Sequence, residues 1–305
     1  MNRNTMKRWI NNPWRIGKAL AQRGLLNFLP DKAYLSILYR ANIGRKIHWK
    51  NPVTFNEKLQ WLKVYNRNPQ HATMVDKYRV RDYVANTIGE EYLIPLLGVW
   101  KDAQSIDFDA LPEKFVLKCN HNSGLGMCIC TDKSALDLEK VKSGLTKGLQ
   151  QNYYLTGREW CYKNVEPRII AETFMQDKTG ELRDYKFMCF NGKVKCSFVC
   201  SDRFSGDGLH VTFFDRNWNV MPFERHYPAR KEGIEKPEKY EEMLELAEKL
   251  AQDHPFVRVD LYEVDGQIYF GELTLYPGSG FEEFTPEEWD EILGSWIDLS
   301  GIQHW

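Results

Sequence analysis

Apolar and polar positions over residues 1–100 recur mostly at helical spacing, without the strand–helix alternation of a complete Rossmann unit. The pattern predicts helices over residues 56–65 and 76–86. Thr54-x-x-Glu57 has the spacing of a capping box for the first, and Asp76 stands where it would cap the second. A short extended run over 92–100 is interrupted by Pro95 and Gly98. From residue 114 the pattern turns to strands: 114–119 and 127–130 flank a polar turn, Asn120-His121-Asn122-Ser123-Gly124-Leu125-Gly126. After a helical stretch over 134–152, strands are predicted over 169–174, 185–190 and 194–200, with Asn191-Gly192 as the hairpin turn between the last two. Residues 201–235 are loop-rich and aromatic, and 238–252 predict a helix. Two apolar runs around Asp265-Gly266 then predict an antiparallel hairpin, and the acidic tail from Phe281 ends in a helix. The chain contains no internal repeat and no low-complexity tract.

Composition adds a size and a charge asymmetry. The 305 residues, 43% hydrophobic and 13% aromatic, suffice for one large domain or two to three subdomains with a sizeable core. The seven cysteines never form CxxC, so neither a disulfide framework nor a zinc knuckle is indicated. Cys128, Cys130, Cys196 and Cys200 sit in apolar runs and read as small core residues in a reducing compartment. No apolar run approaches the roughly 18 residues that span a bilayer, and no secretory leader is evident, which leads to the expectation of a cytoplasmic protein. The net charge of −1 hides a basic arm, because residues 1–50 carry 11 Lys or Arg against the single acid Asp31. In that arm Trp9, Ile10, Trp14, Ile16, Leu20, Leu25, Leu26, Phe28 and Leu29 interleave with Lys7, Arg8, Arg15, Lys18 and Arg23. Such a segment fits an anionic membrane surface, or a helix that packs its apolar stripe on the protein and solvates its charges. Nucleic acid is not expected as a partner, since no base-stacking motif accompanies the charge and the rest of the chain is acidic.

The candidate chemistry concentrates in the last hairpin. Asp260 and Glu272 fall near the middle of its two apolar runs, and a carboxylate on a covered strand face is costly unless cations neutralise it. Together with Arg258 they suit Mg²⁺ and a polyphosphate, since Mg²⁺ takes a few carboxylates plus phosphate oxygens. The competing reading is an ordinary hairpin with a solvated face and an Arg258–Glu272 cross-strand ion pair. The 120–126 turn, rich in Gly, Asn and Ser, can aim backbone N–H groups at an anion, with Lys118 entering it as a point charge. His121 reads either as a phosphate donor or as a polar loop residue.

The order of these pieces resembles the ATP-grasp superfamily and, within it, the TupA-like amidoligases of teichuronopeptide biosynthesis. Four blocks between residues 74 and 280 carry the resemblance. Met74-Val75-Asp76-Lys77 resembles the helix start before the central subdomain, and 115–126 the lysine strand with its glycine-rich loop. Ile170-Ala171-Glu172-Thr173-Phe174-Met175 resembles the hinge that reads adenine and ribose, and Arg258-Val259-Asp260 through Glu272-Leu273-Thr274 with Pro277-Gly278 the metal and γ-phosphate block. The resemblance implies an α+β ATP-grasp fold, two subdomains clasping ATP, behind a mainly helical basic N-terminal region. It implies ATP and Mg²⁺ as cofactors. Lys77 and Lys118 would hold α- and β-phosphates, supported by His121, Asn122, Ser123 and Gly124 of the loop. Glu172, Thr173 and Phe174 would bind adenine and ribose, and Asp184 and Lys186 would add nucleotide contacts unless they form only a surface ion pair. Arg258 and Lys118 would act on the transferring phosphate, and Asp260, Glu272 and Thr274 would ligate metal. Thr274 stands where the ancestral block has asparagine, offering a hydroxyl in place of an amide carbonyl.

The implied activity is an ATP-dependent ligation of a carboxylate to an amine through an acyl phosphate, in cell-surface polysaccharide biosynthesis. Its partner would be a carboxylate- or amine-bearing glycan precursor, and the basic arm would hold the enzyme peripherally at the inner membrane face. The rival readings are a kinase of a sugar or polymer hydroxyl, a glycosyltransferase using Asp107 and Asp109, and a non-catalytic nucleotide-binding scaffold. The expected division is a basic arm over 1–50, a helical subdomain over 51–112, a small central subdomain over 113–168 and a metal-bearing subdomain over 169–305.

Overall fold

The fold is taken from a computed structural model, which describes residues 14–177, 182–201, 208–230 and 233–302. Lys7, Arg8, Trp9 and Ile10 of the basic arm lie outside the described residues. The arm that is described forms two helices, Trp14–Gln22 and Asp31–Ile43. They share a small core of Ala21, Tyr34 and Leu38, on which Leu26, Leu29 and Phe281 pack. Trp14, Ile16, Leu25 and Phe28 remain exposed, Phe28 by 80%.

The Thr54 capping box forms as the spacing predicts and starts the helix Phe55–Tyr65. Glu57 N donates to Thr54 Oγ1 at 3.2 Å, and Glu57 Oε2 accepts from the Val53 and Thr54 amides. Burial alone would raise the Glu57 pKa, but backbone donors at Val53 and His48 and the His48 ring hold it below the ordinary glutamate value. The second helix begins later than predicted, at Val80, and runs to Thr87. Asp76 does not cap it. Its Oδ1 accepts from the amides of Tyr78 and Arg79 and from Asn120 Nδ2, so residues 76–79 close into a turn tied to the loop of the small sheet.

Two antiparallel sheets carry the rest. The first has the order β1 (Leu96–Trp100), β4 (Ile169–Thr173), β2 (Phe115–Cys119), β3 (Met127–Cys130). A register shift between Leu96 and Gly98 lets the Trp100 ring fold back over Gly98, where a Cβ would come within 2.2 Å of it. Phe115, Leu117, Ile169 and Ala171 point to one face and pack on Leu145 of the helix Leu138–Leu149. The small sheet therefore takes strands from both sides of the 113–168 segment, because long-range pairing recruits β1 and β4. The boundaries expected at 112/113 and 168/169 do not follow this pairing.

The second sheet has the order β10 (Gln267–Thr274), β9 (Phe256–Val264), β5 (Asp184–Phe190), β6 (Lys193–Ser201), β7 (His210–Asp215). Both hairpin turns form where the dipeptides predict, with positive φ at Asn191 (49°), Gly192 (77°), Asp265 (52°) and Gly266 (79°). Tyr185, Phe187, Val257, Val259 and Leu261 fill one face of this sheet, in the large core that includes Met243, Ala247 and Leu250 of the helix Tyr240–Leu250. A two-stranded pairing of β8 (Glu224–Arg225) and β11 (Phe284–Thr285) completes the pattern. All seven cysteines are free thiols.

Candidate functional site

Strand alternation decides which side chains meet. On β9, Arg258, Asp260 and Tyr262 point away from the face packed on the helix Tyr240–Leu250, and the register sets Asp260 opposite both Glu272 on β10 and Lys186 on β5. The shift between Phe270 and Glu272 brings Glu272 and Thr274 onto this same face. The result is a row of charge across three strands. Arg258 donates Nε to Asp260 Oδ1 at 2.6 Å and Nη2 to Asp260 Oδ2 and Glu272 Oε1, each at 2.7 Å. Lys186 bonds both Asp184 and Asp260. Thr274 Oγ1 donates to Glu272 Oε1 at 3.0 Å.

The cross-strand Arg258–Glu272 pair thus exists, but not on a solvated face: Asp260 is 1% exposed. Nor do Asp184 and Lys186 form a surface pair, since Lys186 is buried between two carboxylates. Burial opposes the charge on Arg258, yet Asp260 and Glu272 more than offset it and raise its pKa. Burial likewise opposes charge on Glu272, but Arg258, Lys77 and Lys186 lower it to about 2. Burial raises Asp184, whose Oδ1 is buried without a hydrogen-bond partner.

The small sheet presents the second half. Lys118 and Glu172 share the face opposite its core, with Lys118 Nζ 2.5 Å from Glu172 Oε2. Arg81, which the sequence reading did not single out, comes within 3.8 Å of Glu172 Oε1 from the helix Val80–Thr87. No motif marks it; only the packing of that helix brings it there. Lys77 joins the two halves. Its Nζ donates to Asn122 O at 2.6 Å and its N–H to Asn120 O at 3.1 Å. Burial lowers its pKa, Glu272 raises it, and Lys118 and Glu172 act on it from the other sheet. Tyr262 is also close enough to Asp184, Glu272, Asp260 and Glu172 for their charges to raise its pKa further after burial.

The remaining predicted residues divide. Asn122 is buried, supplying its carbonyl to Lys77 and its amide to Gly148 O. Ser123 and Gly124 are exposed at the turn, and Gly124 has φ 80° with open space beside its Cα. His121 is 3% exposed, with Nε2 at 3.1 Å from Gln151 O and Nδ1 facing Asn120 Oδ1, so it acts as a loop brace. Thr173 donates its N–H to Pro95 O, and the Phe174 ring lies 6.0 Å from Lys114 Nζ. Asp107 and Asp109 stay outside the site: Asp107 Oδ1 closes its own turn by accepting from the amides of Asp109 and Ala110.

Among the described residues, no three His, Cys, Asp or Glu side chains group as a self-sufficient metal cage. The donor set nevertheless suits Mg²⁺ brought with a polyphosphate, which needs only one or two protein carboxylates beside phosphate oxygens. Asp260 and Glu272 face each other across the strand pair, the Glu272 side chain is 40% exposed, and Asp184 Oδ1 is an unpartnered oxygen in the same row.

A family model described as TupA-like ATPgrasp matches residues 57–298. The chain belongs to this family. The ATP-grasp superfamily is one of ATP- and Mg²⁺-using ligases, and the α+β architecture of two sheets with a helical N-terminal region is its fold in this member. The four sequence blocks between residues 74 and 280 lie within the matched span. No curated protein matches the chain significantly. Among solved structures it is similar to D-alanine–D-alanine ligase from Bacillus anthracis complexed with ATP, at 16% identity and a TM-score of 0.40, covering 67% of this chain and 54% of that one. It is similar to D-alanine–D-alanine ligase from Helicobacter pylori at 16% identity and a TM-score of 0.41, covering 80% and 69%. It is similar to D-alanyl-alanine synthetase A from Vibrio cholerae at 11% identity and a TM-score of 0.43, covering 79% and 62%. The chain thus spans about half the length of the Bacillus protein, and likeness at this level says nothing of substrate.

Proposed function

We propose that the protein is an ATP- and Mg²⁺-dependent carboxylate–amine ligase that works through an acyl phosphate in cell-surface polysaccharide biosynthesis. The observation that carries this reading is the position of Lys77, half-buried and bonded through Nζ to Asn122 O of the loop after β2, where the charges of Lys118 and Glu172 on one sheet and Glu272 on the other act on it. Such a cleft, with cations and carboxylates on both walls, is suited to a triphosphate and its metal held between two sheets. In this reading Lys77 and Lys118 neutralise α- and β-phosphate oxygens, and Ser123 and Gly124 offer backbone N–H groups at the turn. Glu172 reaches toward ribose, beside Thr173 and Phe174 at the edge where adenine would lie. Asp260 and Glu272 would hold Mg²⁺, with Thr274 steadying Glu272 and Lys186, itself paired with Asp184, steadying Asp260. When bound, Mg²⁺ supplies Lewis-acid neutralisation of phosphate charge.

A carboxylate is a poor electrophile at neutral pH, and phosphorylation supplies the leaving group it lacks. Arg258 lies in the row where the transferring phosphoryl group would sit, and its fixed charge favours the developing anion without reorganisation. Positioning contributes the rest. Asp107, engaged in its own turn, does not support a metal-dependent glycosyltransferase. The rival that keeps the same cleft is a kinase of a hydroxyl, and the two differ in where oxygen goes. With a carboxyl-¹⁸O acceptor, a ligase should place label in the released phosphate. Unlabelled phosphate, or phosphorus retained on the product, would reject the ligase in favour of the kinase.

The membrane part of the proposal rests on the arm. Trp14, Ile16, Leu25 and Phe28 are exposed on a segment that also exposes Arg15 and Arg23, a combination suited to an anionic lipid surface. No helix among the described residues is long and apolar enough to cross a membrane. A glycan precursor carried on lipid would then meet the cleft at the inner membrane face.

A further inference from the structure

A cavity of about 480 Å³ lies beside the charged cleft, between the basic arm and the turn that follows β10. Tyr153, Glu159 and Ser279 line one side, and Asn27, Tyr34 and Asn42 line the other. Its floor is held in an unusual backbone state. Gly278, Ser279 and Gly280 have successive φ values of 55°, 54° and 63°, and Ser279 is a non-glycine residue in the left-handed region. Lys63, 0% exposed beneath them, fastens the turn by donating to Ser279 O and Ser279 Oγ, each at 2.8 Å, and to Gly157 O at 2.9 Å. Gly157 leaves the space this needs, since a Cβ there would lie 2.2 Å from Ser279 Oγ and 3.1 Å from Glu159 Oε1.

These contacts engage all three ammonium protons of Lys63 with oxygens of residues 157 and 279. Burial raises the pKa of Glu159, which is 7% exposed, and the Lys63 charge, acting through space, and a hydrogen bond from the Ser279 side chain oppose that rise and favour its carboxylate. The groups around Glu159 are Lys63, Tyr153, Cys161, Tyr162 and Tyr276; burial raises the thiol and the phenols, so Lys63 is the cation among them at neutral pH. On the far side, Asn27 Oδ1 is buried without a hydrogen-bond partner. Lys18, also on the lining, donates one hydrogen bond to Asn42 Oδ1 at 2.6 Å. The cavity therefore offers one unsatisfied amide oxygen, Asn27 Oδ1, and a carboxyl group, Glu159, as acceptors, which suits a ligand that donates. Tyr153 connects it to the cleft, because its phenol hydrogen-bonds the Ser123 side chain and feels the charge of Glu272.

We propose that this cavity binds the amine substrate, a primary amine on a small polar body, with its ammonium on Glu159 and its hydroxyl or amide hydrogens on Asn27. This rests on the ligase reading above. The volume suits a single sugar or amino-acid-sized molecule, within the range of about 300–1,000 Å³ usual for small-molecule sites. The test uses the full chain with Mg·ADP and records saturation-transfer NMR for glucosamine, lysine and ethanolamine, each beside its fully N-acetylated counterpart. At least one amine should bind, and its acetylated form should bind tenfold or more weakly. Thr156→Trp, which fills the cavity from an exposed position on its rim, should abolish that signal while Mg·ADP affinity is unchanged. Glu159→Gln should weaken the amine tenfold or more. If the protein binds Mg·ADP but none of the three amines, or if Thr156→Trp leaves amine binding intact, the cavity is not the amine site and the ligase reading survives. If it does not bind Mg·ADP at all, the nucleotide reading fails and this site falls with it.

Discussion

Asp260 and Glu272 face the same guanidinium across a strand pair, yet their substitutions should read differently. Asp260 is buried under two hydrogen bonds from Arg258 and one from Lys186, so Asp260→Asn leaves two buried cations without their shared carboxylate. Breaking a buried pair in this way costs about 3–5 kcal/mol, and the variant should lose stability as well as turnover. Glu272 is the more exposed carboxylate, so Glu272→Gln should stop turnover with a smaller shift in the urea midpoint. Urea denaturation beside an ADP-release assay separates the two; equal loss of stability would contradict the burial difference. The sign of the pH effect follows from the same contacts. The Glu272 pKa falls from 4.5 in its unperturbed state to about 2, so its stabilisation is present above the higher value and is lost as pH drops toward the lower one. The stability gap between wild type and Glu272→Gln should therefore close between roughly pH 5 and pH 2. These residue types and their positions were legible in the sequence. The partnership with Lys186 was not, because it depends on β5 pairing with β9 across an interval of more than 70 residues.

At the scale of elements, local signals succeeded where the atoms they use are close in sequence. Thr54 and Glu57 form their capping box, and Asn191-Gly192 and Asp265-Gly266 make their hairpin turns, because each depends on neighbouring backbone alone. Thr54→Ala should lower stability by about 1 kcal/mol, the usual effect of losing an N-cap hydroxyl, as read from chemical denaturation. A change within experimental error would mean that the Glu57 contacts to Val53 and His48 hold the helix start unaided. Asp76 shows the limit. Its sequence setting matches a cap equally well, but Asn120 draws the carboxylate into a turn and the helix starts four residues later. His121 shows the same limit from the other direction: a polar residue in a glycine-rich loop became a buried brace because the Gln151 carbonyl lies against it.

For the whole molecule, the charge asymmetry of the chain has a spatial form. The described part of the basic arm covers one rim of the cavity with Lys18, Asn27 and Asn42 while presenting Trp14 and Phe28 outward. Membrane attachment through that face should be electrostatic at long range and apolar on contact, with about 1 kcal/mol per basic residue near anionic lipid. The protein should cosediment with anionic but not neutral vesicles at low salt and come off at roughly 0.5 M, where screening acts over a few ångströms. Replacing Arg15 and Arg23 with Gln, and Trp14 and Phe28 with Ser, should remove the binding. Lys18 is better left intact, since it holds Asn42. Binding unchanged in that variant, or equal on neutral vesicles, would leave the arm as a cover for the cavity alone.

The sequence by itself determined the two hairpins, the capped helix, the α+β character and, through four ordered blocks, the family. Each depends on residue types at short spacing, where periodicity and turn chemistry act without help from the rest of the chain. Tertiary structure alone decided that β1 and β4 join the small sheet, that Lys77 stands between the two sheets, and that His121 points into protein. It also decided that Lys63, Glu159 and Ser279, separated by up to 216 residues, meet at the wall of one cavity. The physical reason is that strand pairing and the burial of charge depend on contacts between distant segments. No periodicity encodes those contacts, and a single hydrogen-bond partner such as Asn120 or Gln151 is enough to redirect a side chain.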